Sequence, residues 1–195
     1  MALGDCLYAT TIARQIKRDN PDCHLTWAIS SPCRSILIGN PHVDDIWEVF
    51  SSGRHGENEV WDQFEHKARE RKQAGEFDEI YLTQIHPNNW KNFDGTVRAS
   101  IFRGYPRPIS VPVNPVIKLL PEEIENTKKF ANKHSLTKKS DVILFEYNFD
   151  SGQSFVTSDF ALEVSEQIIK AIPTACIILS AKKPIQTSNK NIIDG

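Results

Sequence analysis

Apolar and polar positions follow two rhythms along this chain, and the switches between them set out an order of elements. Residues 7–17 carry apolar side chains at Leu7, Ala9, Ile12, Ala13 and Ile16, the spacing of one helix face. Asn20-Pro21-Asp22 stops that helix. Residues 24–30 (HLTWAIS) are rich in β-favouring side chains and predict a strand. A short helix over residues 32–38 ends at Gly39-Asn40-Pro41, and residues 45–50 (DIWEVF) predict a second strand. Residues 57–73 are strongly charged, with Val60, Trp61, Phe64 and Ala68 at helical spacing, which predicts an amphipathic surface helix. Its run 65–72 (EHKARERK) reads as a solvated face. Residues 77–82 (FDEIYL) predict a third strand.

Residues 84–115 break the rhythm. They hold HPNNW, a short helix near residues 97–102, and prolines clustered between Pro106 and Pro115, which suits a linker or a domain edge. Regularity then returns. Residues 121–134 predict a helix with proline at its start, acids in its first turn and lysines later, as the helix dipole favours. Residues 142–145 (VILF) predict a buried strand. Residues 157–172 predict a helix capped by Thr157 or Ser158, and residues 175–179 (ACIIL) another buried strand. Strands alternating with helices give an α/β fold with parallel sheets, and fully apolar strands imply cover on both faces. Two units are expected: residues 1–109, and residues 110–195 comprising a linker and a second unit. The chain opens on a Gly-Asp turn that feeds a helix with no strand before it, whereas such a turn normally follows a central strand. It stops just after a βαβ-like unit, so both ends are expected to be incomplete.

Composition narrows the function classes. Of 195 residues, 39% are hydrophobic and 25% charged, too apolar for a disordered chain. Lys plus Arg number 23 against 25 Asp plus Glu, for a net charge of -2. That argues against a nucleic-acid partner and an electrostatic membrane coat, while leaving room for peripheral membrane contact through a local patch. No apolar run is long enough for a membrane span. Cys6, Cys23, Cys33 and Cys176 form no C-x-x-C pair, so no zinc site is expected. Scattered thiols without a signal peptide read as reduced and cytoplasmic.

Two places carry candidate chemistry. Gly4 permits close backbone approach at a helix start, whose free N–H groups attract anions. Asp5 beside it is either a general base at the mouth of a cleft or simply a helix cap. Ser151, Gly152, Gln153 and Ser154 follow the VILF strand, where small polar residues can hold phosphate, although the Gly-Lys-Ser/Thr ending of a P-loop is missing. An ordinary βα loop is the other reading. His86, after the third strand, could touch a ligand or be a solvated loop histidine. His55 and His66 lack metal-ligand spacing.

The segment Leu3-Gly4-Asp5-Cys6-Leu7-Tyr8-Ala9-Thr10 resembles the L-G-D-hydrophobic-hydrophobic-x-x-T opening of the heptosyltransferase-like glycosyltransferases, glycosyltransferase family 9. The resemblance continues through Asn20-Pro21-Asp22, the LTWAIS strand and Gly39-Asn40-Pro41-His42-Val43-Asp44-Asp45-Ile46. The later helices and strands recur in family order. The resemblance implies a GT-B architecture of two Rossmann-like domains, the first (residues 1–109) on the acceptor side and the second on the nucleotide-sugar side, here incomplete. It implies inverting transfer of a sugar, heptose from ADP-heptose, to a lipopolysaccharide core acceptor, without cofactor or metal. Asp5 matches the family's catalytic base, Gly4 and Thr10 its substrate-binding positions, and Ser151–Ser154 its phosphate loop. Thr11 stands where the family often has proline, and Gln153-Ser154-Phe155 where many members carry lysine before an aromatic residue. The chain alone is therefore expected to transfer sugar poorly or not at all. A non-catalytic nucleotide- or sugar-binding module, or an unrelated α/β nucleotide-binding protein, are the alternatives.

Overall fold

The computed structural model describes residues 3–50, 57–84, 87–147, 155–180 and 185–195. The chain divides into two compact units, Met1–Leu119 and Leu120–Gly195.

The first unit opens with helix α1 (Leu3–Asp19), whose Ile12 and Ala13 are almost wholly buried. Strand β1 (Thr26–Ser30) and strand β2 (Asp45–Val49) pair in parallel, with Trp27 opposite Ile46 and Ala28 opposite Trp47. A 3-10 turn over Ser31–Leu37 joins them. Its exit runs through Gly39 at φ 71°, a left-handed conformation that glycine adopts without strain. Helix α2 (Glu57–Gln73) has the bounds its apolar spacing predicts. Side chains alternate across a strand, so the two faces of the β1–β2 sheet meet different helices. Leu25 and Trp27 pack on the cluster of Ile12 and Ile16. Trp47 packs on Phe64 of α2 with ring centroids 4.0 Å apart. The Arg71 guanidinium covers both Trp47 and Phe77, at 4.6 and 4.4 Å from their ring centroids, so the charged run is not wholly a solvated face.

The third strand expected over residues 77–82 does not form. Among the described residues these pair with no strand, although Ile80, Tyr81 and Leu82 are half-buried, as strand side chains would be. The reason is a missing neighbour: a ladder needs a partner at about 4.8 Å, and among the described residues no strand lies alongside this segment. The segment is held from outside instead. Asn89 Nδ2 donates to Leu82 O and to Gln84 O, both at 2.8 Å. Gly104, which ends helix α3 (Val97–Arg103), lies so close that a Cβ there would stand 2.7 Å from Thr83 Cα.

The proline-rich stretch is not a free linker. Residues 110–116 strap α1 through buried polar side chains. Gln15 Oε1 accepts from Ser110 N at 2.7 Å and Val111 N at 3.0 Å, and Thr10 Oγ1 accepts from Val116 N at 2.8 Å. Thr11 Oγ1 donates to Asn114 O at 3.3 Å. Thr10, Thr11 and Gln15 are all at most 1% exposed, so these bonds satisfy groups that water cannot reach.

The second unit begins with helix α4 (Pro121–Lys133), where the Glu123 carboxylate accepts from Leu120 N at 2.6 Å. Strands β3 (Val142–Glu146), β4 (Cys176–Ser180) and β5 (Ile192–Asp194) form a parallel sheet in that order. Helix α5 (Ser158–Ala171) connects β3 to β4 and is capped by Thr157, whose hydroxyl accepts from Phe160 N at 3.2 Å. The VILF strand is not buried on both faces as expected. Ile143 and Phe145 pack on Ala161 and Ile177, while Val142 and Leu144 remain 45% and 68% exposed. Among the described residues α5 covers one face of β3, and no element covers Val142 and Leu144 on the other.

Candidate functional site

Asp5 is the third residue of α1, so it lies within the first turn rather than ahead of it as a cap. Its carboxylate still complements the positive end of the helix. Burial holds its pKa above the usual carboxylate value. A carboxyl shifted that way is a stronger base when ionised, with a pKa nearer neutrality, which is what proton abstraction requires.

Asp5 and Cys6 line one end of a cavity of about 870 Å3 in the first unit. Ala9, Ile12 and Ile16 of α1 form one wall, and Trp61, Phe64 and Ala68 of α2 the opposite one. Thr26 to Ile29 of β1 and residues 76–84 close the remaining sides. α1 runs antiparallel to β1: Cys23 and Leu25, just before the strand, pack on the cluster that holds Ile12 and Ile16, while Cys6 and Leu7 pack on the cluster of Ile29, Cys33, Ile36 and Leu37 at and beyond its end. Asp5 therefore stands at the carboxyl end of the strand, where ligands bind in parallel α/β sheets. The cavity lining mixes aromatic side chains, Trp27, Trp47 and Tyr81 among them, with polar and charged ones such as His24, Glu65 and Arg107, and Asp5 adds a proton acceptor at one end.

The Cys6 environment disfavours a nucleophilic thiolate. Burial, with Cys33 alongside, pushes its thiol well above the ordinary range, and only the thiolate reacts. The described cysteines are all free. Among the described residues no group of three His, Cys, Asp or Glu is placed to hold a metal.

The other site residues read from sequence fall in different places. Gly4 is exposed next to Asp5, and a Cβ there would meet nothing within 4 Å. Its openness leaves room for an approaching group and serves no packing need of the fold. Thr10 lies five residues beyond Asp5 on α1 with its hydroxyl engaged: it donates to Leu7 O at 2.6 Å and accepts from Val116 N. Ser151, Gly152, Gln153 and Ser154 lie outside the described residues, as do His86 and His55. The walls from α2 and residues 76–84 were not read as part of a site. The half-buried pattern of FDEIYL was the available signal, since a strand without a partner leaves an opening beside it.

No protein-family model matches the chain, and no curated protein matches it in sequence. Two solved structures match it in fold. One is a glycosyl transferase family 9 protein from Veillonella parvula, 15% identical, with a TM-score of 0.64 over 92% of this chain and 60% of the other. The second is the ADP-heptose lipopolysaccharide heptosyltransferase II of Escherichia coli, 14% identical, with a TM-score of 0.51 over 92% of this chain and 61% of the other. The chain thus spans about three fifths of the length of these structures. The resemblance read in the Leu3–Thr10 segment is borne out at the level of fold: an α/β chain with parallel sheets, shared with glycosyltransferases of that family. No described helix is long and apolar enough to cross a membrane.

Proposed function

We propose that this chain carries the acceptor side, and part of the donor side, of an inverting glycosyltransferase acting in the cytoplasm. The observation that carries the reading is Asp5, in the first turn of α1, with its carboxyl made more basic by burial, on a fold shared with family 9 transferases. In this scheme the Asp5 carboxylate accepts the proton of an acceptor hydroxyl as that oxygen attacks the anomeric carbon of a nucleotide-sugar. The nucleoside diphosphate leaves from the opposite face, which inverts the configuration. No covalent enzyme intermediate is needed. Gly4 leaves the acceptor space beside Asp5, and Thr10 holds α1 to its strap so that the first turn stays in place. Ser151, Gly152, Gln153 and Ser154 supply hydroxyl, amide and backbone donors to the leaving pyrophosphate. With Gln153 where many family members have lysine, that charge is offset by hydrogen bonds alone, and transfer is slow.

The E. coli structure acts as an ADP-heptose transferase, and heptose is the sugar we propose here, with a lipopolysaccharide core as acceptor. The test is acceptor-dependent release of nucleoside diphosphate across a panel of nucleotide-sugars. The reading expects ADP-heptose to give the largest release. Binding of nucleotide-sugars without release would favour a non-catalytic binding module.

A further inference from the structure

The second unit has a cavity of its own, about 550 Å3, between the end of α4 and the segment that leads into β5. That volume is in the range of small-molecule sites. Phe130, Lys133 and His134 line it from α4 and the residue after it, and Thr187, Asn189 and Lys190 from the segment ahead of β5. Both pieces belong to the amino end of the β3–β4–β5 sheet. From His134 the chain passes through a 3-10 turn (Leu136–Lys138) into the start of β3, and Lys190 stands two residues before β5. The chain enters residues 151–154, proposed to hold the leaving pyrophosphate, from the opposite end of β3. This cavity is therefore not the donor site.

The directions of the hydrogen bonds decide what it can take. Thr187 Oγ1 accepts from Asn189 N at 3.1 Å, and Asn189 Oδ1 accepts from Asn191 N at 3.0 Å. Each side chain spends an acceptor on the segment's own backbone. The Thr187 O–H and the Asn189 Nδ2 group donate to none of the described residues, so both remain as donors. Lys133 and Lys190 pair with no described carboxylate. Lys133 also answers the negative end of α4, as any last-turn lysine does. Lys190 stands on no helix and has no such role. The carboxylate in the lining, Asp194, has its Oδ1 accepting from Ile185 N at 3.3 Å. Two ammonium groups against one carboxylate leave the lining positive and rich in donors, which suits an anion with several oxygens. Phe130 and the His134 ring, with centroids 4.6 Å apart, add an aromatic wall.

We propose that this cavity binds a small aromatic phosphomonoester. Its phosphate oxygens take the Lys133 and Lys190 ammonium groups, the Thr187 O–H and Asn189 Nδ2, and its ring lies against Phe130. A phosphate offers three strong acceptor oxygens and close to two negative charges near neutral pH, so it uses both the donors and the charge.

The test titrates the full chain with phenyl phosphate and follows the backbone amide signals of Ser188, Asn189 and Lys190 by NMR. Saturable shifts are expected there, and Lys190→Met should weaken the affinity at least about tenfold. Lys67→Met removes the same charge from an exposed position on α2, in the first unit, and should leave the affinity unchanged. Shifts that do not saturate, or equal weakening by the two variants, would mean general attraction for anions and overturn the site. Inorganic phosphate should move the same signals with lower affinity; equal affinity for the two overturns the aromatic seat. Vesicles containing phosphatidic acid present the same phosphomonoester on a membrane. Binding to them without any response to phenyl phosphate overturns the assignment to a small molecule.

Discussion

Gln15 Oε1 accepts from Ser110 N at 2.7 Å, joining positions 95 residues apart. The same oxygen accepts from Val111 N, and Gln15 Nε2 donates to Asp19 Oδ1 at 2.9 Å. One buried amide thus fixes the proline-rich strap to α1 and holds the helix whose first turn carries Asp5. Gln15→Ala leaves two backbone donors without a partner and should cost about 2–4 kcal/mol of stability. Chemical denaturation measures it; a loss below about 0.5 kcal/mol, the range of ordinary surface changes, would show that the strap does not depend on this residue.

Two glycines make opposite predictions. A Cβ at Gly104 would strike Leu82 O and crowd Thr83 Cα, both backbone atoms that cannot turn aside. Gly104→Ala should destabilise by about 1–3 kcal/mol, as overpacking does. Gly4 lies in helix α1 with open space around it, so Gly4→Ala should leave stability unchanged or raise it by about 0.5–1 kcal/mol. If Gly4→Ala nonetheless lowers transfer, the effect comes from blocking the acceptor's approach. Paired melting and transfer measurements distinguish the two positions.

Acid should weaken the fold through a defined set of carboxylates. The Tyr105 hydroxyl donates to Asp19, the Leu25 N–H to Asp44 and the Arg103 guanidinium to Asp94. Each bond holds its carboxyl below the ordinary value of 3.8. A group depressed in the folded state adds stability above its unfolded pKa and loses it as pH falls through the folded one. Stability should therefore drop as pH goes below about 3.8. Asp5 has the opposite sign: its raised pKa makes ionisation a cost above that value, relieved on protonation. Melting curves across the acid range should show a steep loss that Asp94→Asn makes shallower. A flat profile would contradict the assignment.

Most of the element order was legible because it rests on periodicity: α2 and the Thr157 cap of α5 lie where spacing and capping chemistry put them. What was not legible depends on partners distant in sequence. FDEIYL has a strand's composition, yet a strand exists only with a neighbour, and nothing within those residues says whether one is present. The prolines of residues 106–115 suit a linker or a domain edge, and their packing on α1 has no local signal because it rests on hydrogen bonds from Thr10, Thr11 and Gln15, far back in the chain. Val142 and Leu144 looked buried because an apolar run does not show how many faces are covered. Of the proposed site, the resemblance of the Leu3–Thr10 segment points to Asp5; the cavity beside it has no sequence signal, since its walls come from four separated segments.

Asp5→Asn tests the central claim most directly, since the amide keeps the shape of the side chain and removes the proton acceptor. Replacing a partly buried carboxylate should leave the melting temperature unchanged or slightly higher at neutral pH. The measurement is acceptor-dependent nucleoside diphosphate release from ADP-heptose under single-turnover conditions, with wild type and variant at the same high protein concentration. The account predicts slow release by the wild type and a rate about 10²–10⁴-fold lower for the variant, with the fold intact. Equal rates in the two proteins, or no acceptor-dependent release from the wild type, would contradict it.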